Sequence, residues 1–350
     1  YQLRISQHPR NIKEAFATRN VSTFPLTLVE HQKMQIQDKM YPYELVDLDE
    51  SVNGDIVVHR TNKPPINIWP IKKDLPDKEG SIVVWERPDR DISWGKYVAS
   101  IDPVGEGRTT TSDSLCSIYI YKMPTHIQRT TDDRVENFIE GDKIVAAWCG
   151  RFDDINDTHK RLRLMLEWYN AQAIVENNVS LFIRYMIEQR KQRYLVPKSQ
   201  ILFLKEIQAN KTVYQDYGWK NTGTFFSTHL LNYLIEYLKE VVEEEVDDFG
   251  TVTKKHYGIR RIPDIMAMVE MQGYDGDKNV DRLVALTALI AYVRVLQANT
   301  EKKVVIENQI INLENSQKMS TLDRSAFRTI GKSKSMNSTN KPRSPFKRLH

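Results

Sequence analysis

Four acidic residues stand where acids are costly. The run Tyr97-Val98-Ala99-Ser100-Ile101 is strand-like and largely apolar and ends on Asp102; Pro103 and the turn Gly105-Glu106-Gly107 then stop regular pairing. Far downstream, Ala173-Ile174-Val175 ends on Glu176, followed by Asn177-Asn178. Asp281 opens an apolar helical segment, and Asp113 stands at the entry to a further strand-like run. A carboxylate at the end of a buried strand costs free energy unless it is solvated, paired or bound to a cation. Glutamate is a poor residue to follow Ala-Ile-Val in such a strand. Converging carboxylates repel one another and persist together mainly where a divalent cation neutralises them. Oxygen ligands without Cys or His suit Mg²⁺ or Mn²⁺. Two such ions, about 3.5–4 Å apart, stabilise both the attacking water and the leaving oxygen of a phosphodiester. In that arrangement Asp102 bridges both ions, Glu176 bridges or completes one, Asp281 closes the second, and Asp113 is an accessory ligand. Plainer roles stand beside these: Asp102 as a turn residue, Asp113 as loop, and Asp281 as a helix cap.

The elements that must position these acids follow from the hydrophobic pattern. Strands are expected at Tyr97 to Asp102, Leu115 to Tyr121, Lys143 to Cys149 and Ala173 to Glu176, with a short one at Tyr194-Leu195-Val196. Helices are expected from about Asp154 to Tyr169, Val179 to Gln192 and Ser227 to Glu245, the last ending in the acidic run Glu243-Glu244-Glu245 as a solvated face. A final helix begins near Asn279-Val280-Asp281. Alternating strands and helices predict an α/β fold, a mixed sheet flanked by helices, with sites at the carboxyl ends of strands.

The 350 residues allow one large domain or two ordinary ones. With 40% hydrophobic and 27% charged residues the chain reads as a globular protein, and its net charge of +4 biases it mildly toward anionic partners. Four segments are expected: a polar connector over 1–25, a small β-rich subdomain or insertion over 26–95 marked by recurrent proline, the α/β domain over 96–315, and a basic, disordered tail over 316–350. Cys116 and Cys149 sit inside apolar strands and read as buried free thiols in a reducing compartment. No apolar run is long enough to span a membrane. Three other patterns fail. Gly105-Glu106-Gly107-Arg108-Thr109 lacks the ending of a phosphate loop, the segment from Asp275 lacks the glycine and final glutamate of a calcium loop, and no Ser or Cys occupies a nucleophile elbow. Arg184, Arg190, Lys191, Arg193 and Lys198 cluster after the Glu176 strand. They are candidate phosphate contacts, with Arg151 a further one.

On these residues the chain resembles the C-terminal nuclease domain of the large terminase subunit of tailed bacteriophages. The likeness covers about residues 1–300. It runs through Ser81-Ile82-Val83-Val84-Trp85-Glu86-Arg87-Pro88, the Asp102 strand, Ser112-Asp113-Ser114, Ile144 to Arg151, Tyr169-Asn170-Ala171, Val175-Glu176-Asn177-Asn178 and Asn279 to Leu286. Pro9 to Phe16 is similar to the segment that joins the family's motor ATPase to its nuclease. The resemblance implies an RNase H-like fold and metal-dependent cleavage of concatemeric double-stranded DNA during genome packaging. The implied partners are a portal protein and a small terminase subunit, and the implied place is the host cytoplasm, transiently at the procapsid portal. Asp102, Glu176 and Asp281 match its acidic triad and Asp113 an additional acid. The last motif often carries paired aspartates; here Val280 precedes Asp281, which leaves Asp275 and Asp277 as substitutes. The family's phosphate loop is absent, so this stretch alone should not translocate DNA. The alternatives are another RNase H-like nuclease, such as a junction resolvase, and a non-catalytic DNA- or portal-docking module.

Overall fold

A computed structural model describes residues 23–105, 107, 113–131, 134–201, 216–247, 249–276 and 278–299. The expected tail, nearly all of the connector and Asp277 lie outside these. The chain divides into two compact units between Val295 and Leu296, and the sheet and the candidate acids belong to the first.

The expected α/β class is found: a seven-stranded mixed sheet flanked by helices. In chain order its strands are β1 (Glu44–Glu50), β2 (Ile56–Arg60), β3 (Ile82–Val84), β4 (Tyr97–Asp102), β5 (Cys116–Lys122), β8 (Lys143–Gly150) and β9 (Gln172–Val175), arranged β2-β1-β3-β8-β5-β4-β9. Only β4 and β9 run parallel; the other neighbours are antiparallel. Every residue of β5 is buried, as are all of β4 but Asp102 and all of β8 but Lys143, so both faces of the sheet centre are covered. Cys116 and Cys149 are free and buried there.

Helix α2 (Ile155–Tyr169) covers one face. Asp154 caps its start by accepting from the Asn156 N–H, and Asn170, in the left-handed region at φ 46°, ends it. Leu162, Met165, Leu166 and Tyr169 form the stripe it buries against Tyr97, Ala99 and Ile101 of β4. Each such side chain contributes about 1.5–3 kcal/mol through its burial. Helix α3 (Leu181–Glu188) adds Phe182, Ile183 and Met186 to this core.

Three expectations change. The β-type runs within 26–95 do not form a separate subdomain. Helix α1 (Leu26–Gln37) opens the segment, and β1–β3 extend the main sheet because β3 pairs with β8. The helix expected over Ser227 to Glu245 ends early. A turn of π-helix, Phe226–Leu230, leads into α4 (Leu231–Lys239), and the chain then turns into strand β10 (Val241–Val246). Like charges at Glu243, Glu244 and Glu245 are better placed across a hairpin, where Lys255 meets Glu244 at 3.0 Å and Lys254 meets Glu245 at 3.3 Å on β11 (Val252–Tyr257). A 3₁₀ turn, Gln192–Tyr194, followed by an isolated bridge from Leu195 to Ala173 stands where a short strand was expected at Tyr194 to Val196. The hairpin of β6 (Thr125–Thr131) and β7 (Arg134–Glu140) and helix α5 (Ile265–Gly273) were not expected. Helix α6 begins at residue 281 as anticipated. No described helix is long and apolar enough to cross a membrane.

Candidate active site: carboxylates at the ends of two parallel strands

The register of β4 against β9 sets Ile101 beside Val175, and the Glu176 N–H donates to the Ile101 carbonyl at 2.9 Å. Asp102 and Glu176 therefore leave adjacent strands at the same level. Side chains alternate along a strand, and Ile101 and Val175 both face α2. Asp102 and Glu176 consequently project from the opposite face. There the two carboxyls share a hydrogen bond.

Asp281, the first residue of α6, completes the group. One of its carboxylate oxygens accepts from the Leu115 N–H at 2.7 Å and from Asn279 Nδ2 at 3.2 Å. The cap-like duty at this helix start falls to Glu270 of α5, which accepts from the Leu283 N–H at 3.1 Å and from Arg282 at 3.2 Å. Arg282 also donates to the Ile66 carbonyl. Glu270 thus fixes the pitch of α6 and, with it, where Asp281 sits. Glu270 and Arg282 were missed from sequence, yet Glu270 carries the same signal as Glu176: a lone acid in the apolar run Met266-Ala267-Met268-Val269-Glu270-Met271.

The electrostatics follow from enclosure. Burial, then the charges of Glu176 and Asp281, hold Asp102 well above the ordinary carboxylate range. Burial raises Glu176, against hydrogen bonds from Asp102 and Asn221 that stabilise its charge. Asp281 is pushed up to about 8, mainly by burial and further by Glu270, while the Leu115 N–H, Arg282 and Asn279 oppose the shift. Glu270 itself is raised to about 7, chiefly by burial. Without a cation the cluster keeps protons that free carboxylates would release, and Asp102 is the proton holder of the Asp102–Glu176 pair.

A ring of polar groups orients Glu176. Asn178 Nδ2 donates to it at 2.6 Å and to the Asn221 carbonyl at 3.1 Å. The segment after residue 216 passes alongside, with the Asn177 N–H on the Trp219 carbonyl at 2.7 Å. Gly218, at φ 78°, makes that approach possible, because a Cβ there would stand 2.9 Å from the Val175 carbonyl and 2.8 Å from Asn177 Cβ.

The other candidates separate. Asp113 is half-buried in the loop before β5, with no hydrogen bond or ion pair to the three acids among the described residues. Asp275 is engaged by Lys278 at 2.5 Å, which argues against it as a substitute ligand. Arg151 is no exposed phosphate contact. It is 2% exposed and donates to the Gly107 and Ser114 carbonyls at 2.7 and 3.0 Å, tying down the ends of the loop between β4 and β5. Lys191 is paired with Glu167 at 2.7 Å. Arg184, Arg190, Arg193 and Lys198 keep solvent access. Arg190 lies beyond the far end of α3 from Glu176, and Arg193 and Lys198 follow it in the chain.

Comparison with known proteins adds little. The chain is 22% identical over 193 residues to a CCA-adding enzyme of Saccharolobus shibatae, an alignment covering 51% of this chain and 41% of that protein. The chain thus matches less than half of that relative's length. No family profile matches, and no solved structure does.

A second acidic group, Glu86, Asp89 and Glu140, has oxygens that all lie within 4.8 Å of one another, close enough to share a cation. Among the described residues no other triplet is that tight, so Asp102, Glu176 and Asp281 are spread more widely. An ammonium already occupies the tight group: Lys122 Nζ, 1% exposed, lies 2.6 Å from Glu86, 2.7 Å from Glu140 and 3.2 Å from Asp89. Although burial opposes ionisation of Asp89, hydrogen bonds from Lys96, Tyr97 and Lys122 draw it down to about 2. Lys122→Met is expected to cost about 3–5 kcal/mol in urea unfolding, because three carboxylates lose their shared counter-charge. Added Mg²⁺ should restore stability in that variant and leave the wild type unmoved.

Proposed function

We propose that this protein is a metal-dependent nuclease that hydrolyses phosphodiesters in double-stranded DNA. The convergence of Asp102, Glu176 and Asp281, three acids distant in sequence, at one end of β4 and β9 is the observation that carries the reading. The strand order β8-β5-β4-β9, with only the last pair parallel, agrees with the RNase H-like fold that the sequence resemblance implies. The donor set fits Mg²⁺ or Mn²⁺, since it is all hard oxygen with its protons held above their ordinary range. Its spread leaves room for more than one ion among the three carboxylates. When bound, such ions supply Lewis-acid stabilisation of the phosphate and a more acidic attacking water.

The chain's own part is placement. Asp102, Glu176 and Asp281 would hold the ions, Asp102 after loss of its proton; Asn178 and Asn221 hold Glu176 in one orientation, and Leu115 and Asn279 hold Asp281. Genome packaging, with portal and small-subunit partners in a host cytoplasm, is the setting that the terminase resemblance supports. A junction resolvase or a docking module that has kept the fold are the rivals. The likeness to a CCA-adding enzyme favours a further reading, nucleotide addition at the same carboxylates.

The test is supercoiled plasmid with Mg²⁺ or Mn²⁺, beside a four-way junction and a labelled-nucleotide incorporation assay. Nicking and linearisation, blocked by EDTA, are expected. Selective cutting of the junction would favour a resolvase, incorporation would favour nucleotide addition, and inertness with every ion would favour docking; each of these would overturn the proposal.

A further inference from the structure

We propose that a groove at the opposite end of β9 from the carboxylates binds an unpaired nucleotide of a nucleic-acid strand. The groove, of about 390 Å³, is lined by Trp94, Gln172, Arg190, Gln192, Arg193 and Gln200. Gln172 opens β9 and Glu176 follows its end, so about 13 Å of strand separates the Gln172 end of the groove from the cluster, while Tyr217, whose carbonyl accepts from Asn177, lines its other side. It is a distinct site, and its ligand chemistry does not depend on cleavage.

Three features define the ligand. The first is charge. Lys191 is consumed by Glu167, whereas Arg190 and Arg193 on either side of it have no carboxylate partner among the described residues. Among the described residues no acid lines the groove. Arg193 does donate to the Tyr194 hydroxyl, but two guanidiniums whose charge no carboxylate neutralises, lining one concavity, suit phosphate.

The second is a platform. Trp94 is 49% exposed at the groove wall, with its ring centroid 6.1 Å from that of Tyr194. The Arg193 guanidinium lies 4.5 Å above the Tyr194 ring. Tyr194 is itself buried and backs the indole at a tilt of 46°, so the exposed Trp94 ring is the flat face offered to a base. A duplex keeps its base faces stacked inside, so only an unpaired base can use that face. The three glutamines supply both donors and acceptors for base edges, with no charge to exclude one base over another.

The third is backbone placement. Arg190 lies in the left-handed region at φ 58°, just past the end of α3, where the Lys191 N–H donates to the Met186 carbonyl. Glycine or asparagine ordinarily fills this position; an arginine there costs conformational energy and places its side chain at the groove.

The experiment is anisotropy of a fluorescein-labelled oligo-dT in EDTA, titrated with the whole protein over a range of salt. Wild type is expected to bind, with a blunt duplex of the same length competing poorly. Trp94→Ala should weaken binding at least tenfold with the salt slope unchanged, and Trp94→Phe should restore most of it. Arg190→Gln with Arg193→Gln should lower the slope by about 1.4, two single-strand phosphates' worth. The assay contains no free divalent ion and reads binding alone, so its failure is distinguishable from failure of the nuclease reading. Equal competition by duplex, or wild-type affinity in both Trp94→Ala and the double arginine variant, would overturn the proposal.

Discussion

Asp281→Asn is expected to lower Mn²⁺-dependent plasmid cleavage by at least about a thousandfold while making the metal-free protein more stable above neutral pH. The amide keeps an oxygen that can accept from the Leu115 N–H, so the loop before β5 stays attached. Helix α6 keeps its start, because Glu270 serves the Leu283 N–H. What is lost is a charge, and the charge is what a cation needs. A second substitution makes the result specific. Asp275→Asn removes the charge that pairs with Lys278 at the surface and should leave cleavage within about twofold, as exposed pairs contribute little. If Asp275→Asn were inactive and Asp281→Asn fully active, the ligand would lie in the turn and Asp281 would be structural.

The stability half of this result has a definite sign. Asp281 takes up its proton near pH 8 in the folded chain and near its ordinary value of 3.8 when unfolded. Between these values the folded state binds the extra proton, so stability falls as pH rises, and the loss is complete above about 8. A shift of this size is worth on the order of several kcal/mol. Wild type without metal should therefore lose Tm steadily from pH 5 to pH 8, and Asp281→Asn should flatten much of that slope. Saturating Mn²⁺ should reverse the order, stabilising wild type by mass action and the variant hardly at all. Thermal melts at four pH values, with EDTA or Mn²⁺, measure all of this.

Much of the site was legible because its acids break a local rule. Asp102 and Glu176 interrupt apolar strands, and Asp281 precedes a helical stripe, so each stood out without any knowledge of pairing. Their convergence was not local. It depends on the parallel register of β4 and β9 and on α5 holding α6, contacts that no periodicity reports. Glu270 broke the same rule and was passed over because its helix went unrecognised, although Pro263 and the capping Asp264 announce a helix start. Arg151 was misread for the opposite reason. A basic residue after a strand looks solvent-facing, and nothing local reveals that its guanidinium serves carbonyls of a loop more than thirty residues away. The strands β1–β3, short and punctuated by proline, looked self-contained because β3's partner β8 lies about sixty residues downstream.

The second large effect belongs to Asp102. Asp102→Ala is expected to abolish cleavage and also to change the proton count of metal binding. In the metal-free wild type, Asp102 carries the proton shared with Glu176, and Asp281 is largely protonated below pH 8. A divalent ion must displace those protons, so wild-type Mn²⁺ affinity should climb by up to about tenfold per pH unit for each proton displaced between pH 6 and 8. Calorimetry in buffers of different ionisation enthalpy should then register between one and two protons released. With Asp102 gone, Glu176 loses both its hydrogen-bond donor and a neighbouring negative charge in waiting, and the cluster keeps two acids of three. Affinity should fall at least a hundredfold, the released proton should come from Asp281 alone, and the fold should persist, because removing one member of a crowded acidic group relieves repulsion. Cleavage by Asp102→Ala at the wild-type rate would reject the metal reading. Unfolding of the variant at pH 7 would instead assign the Asp102–Glu176 hydrogen bond a structural role, joining β4 to the turn that follows β9.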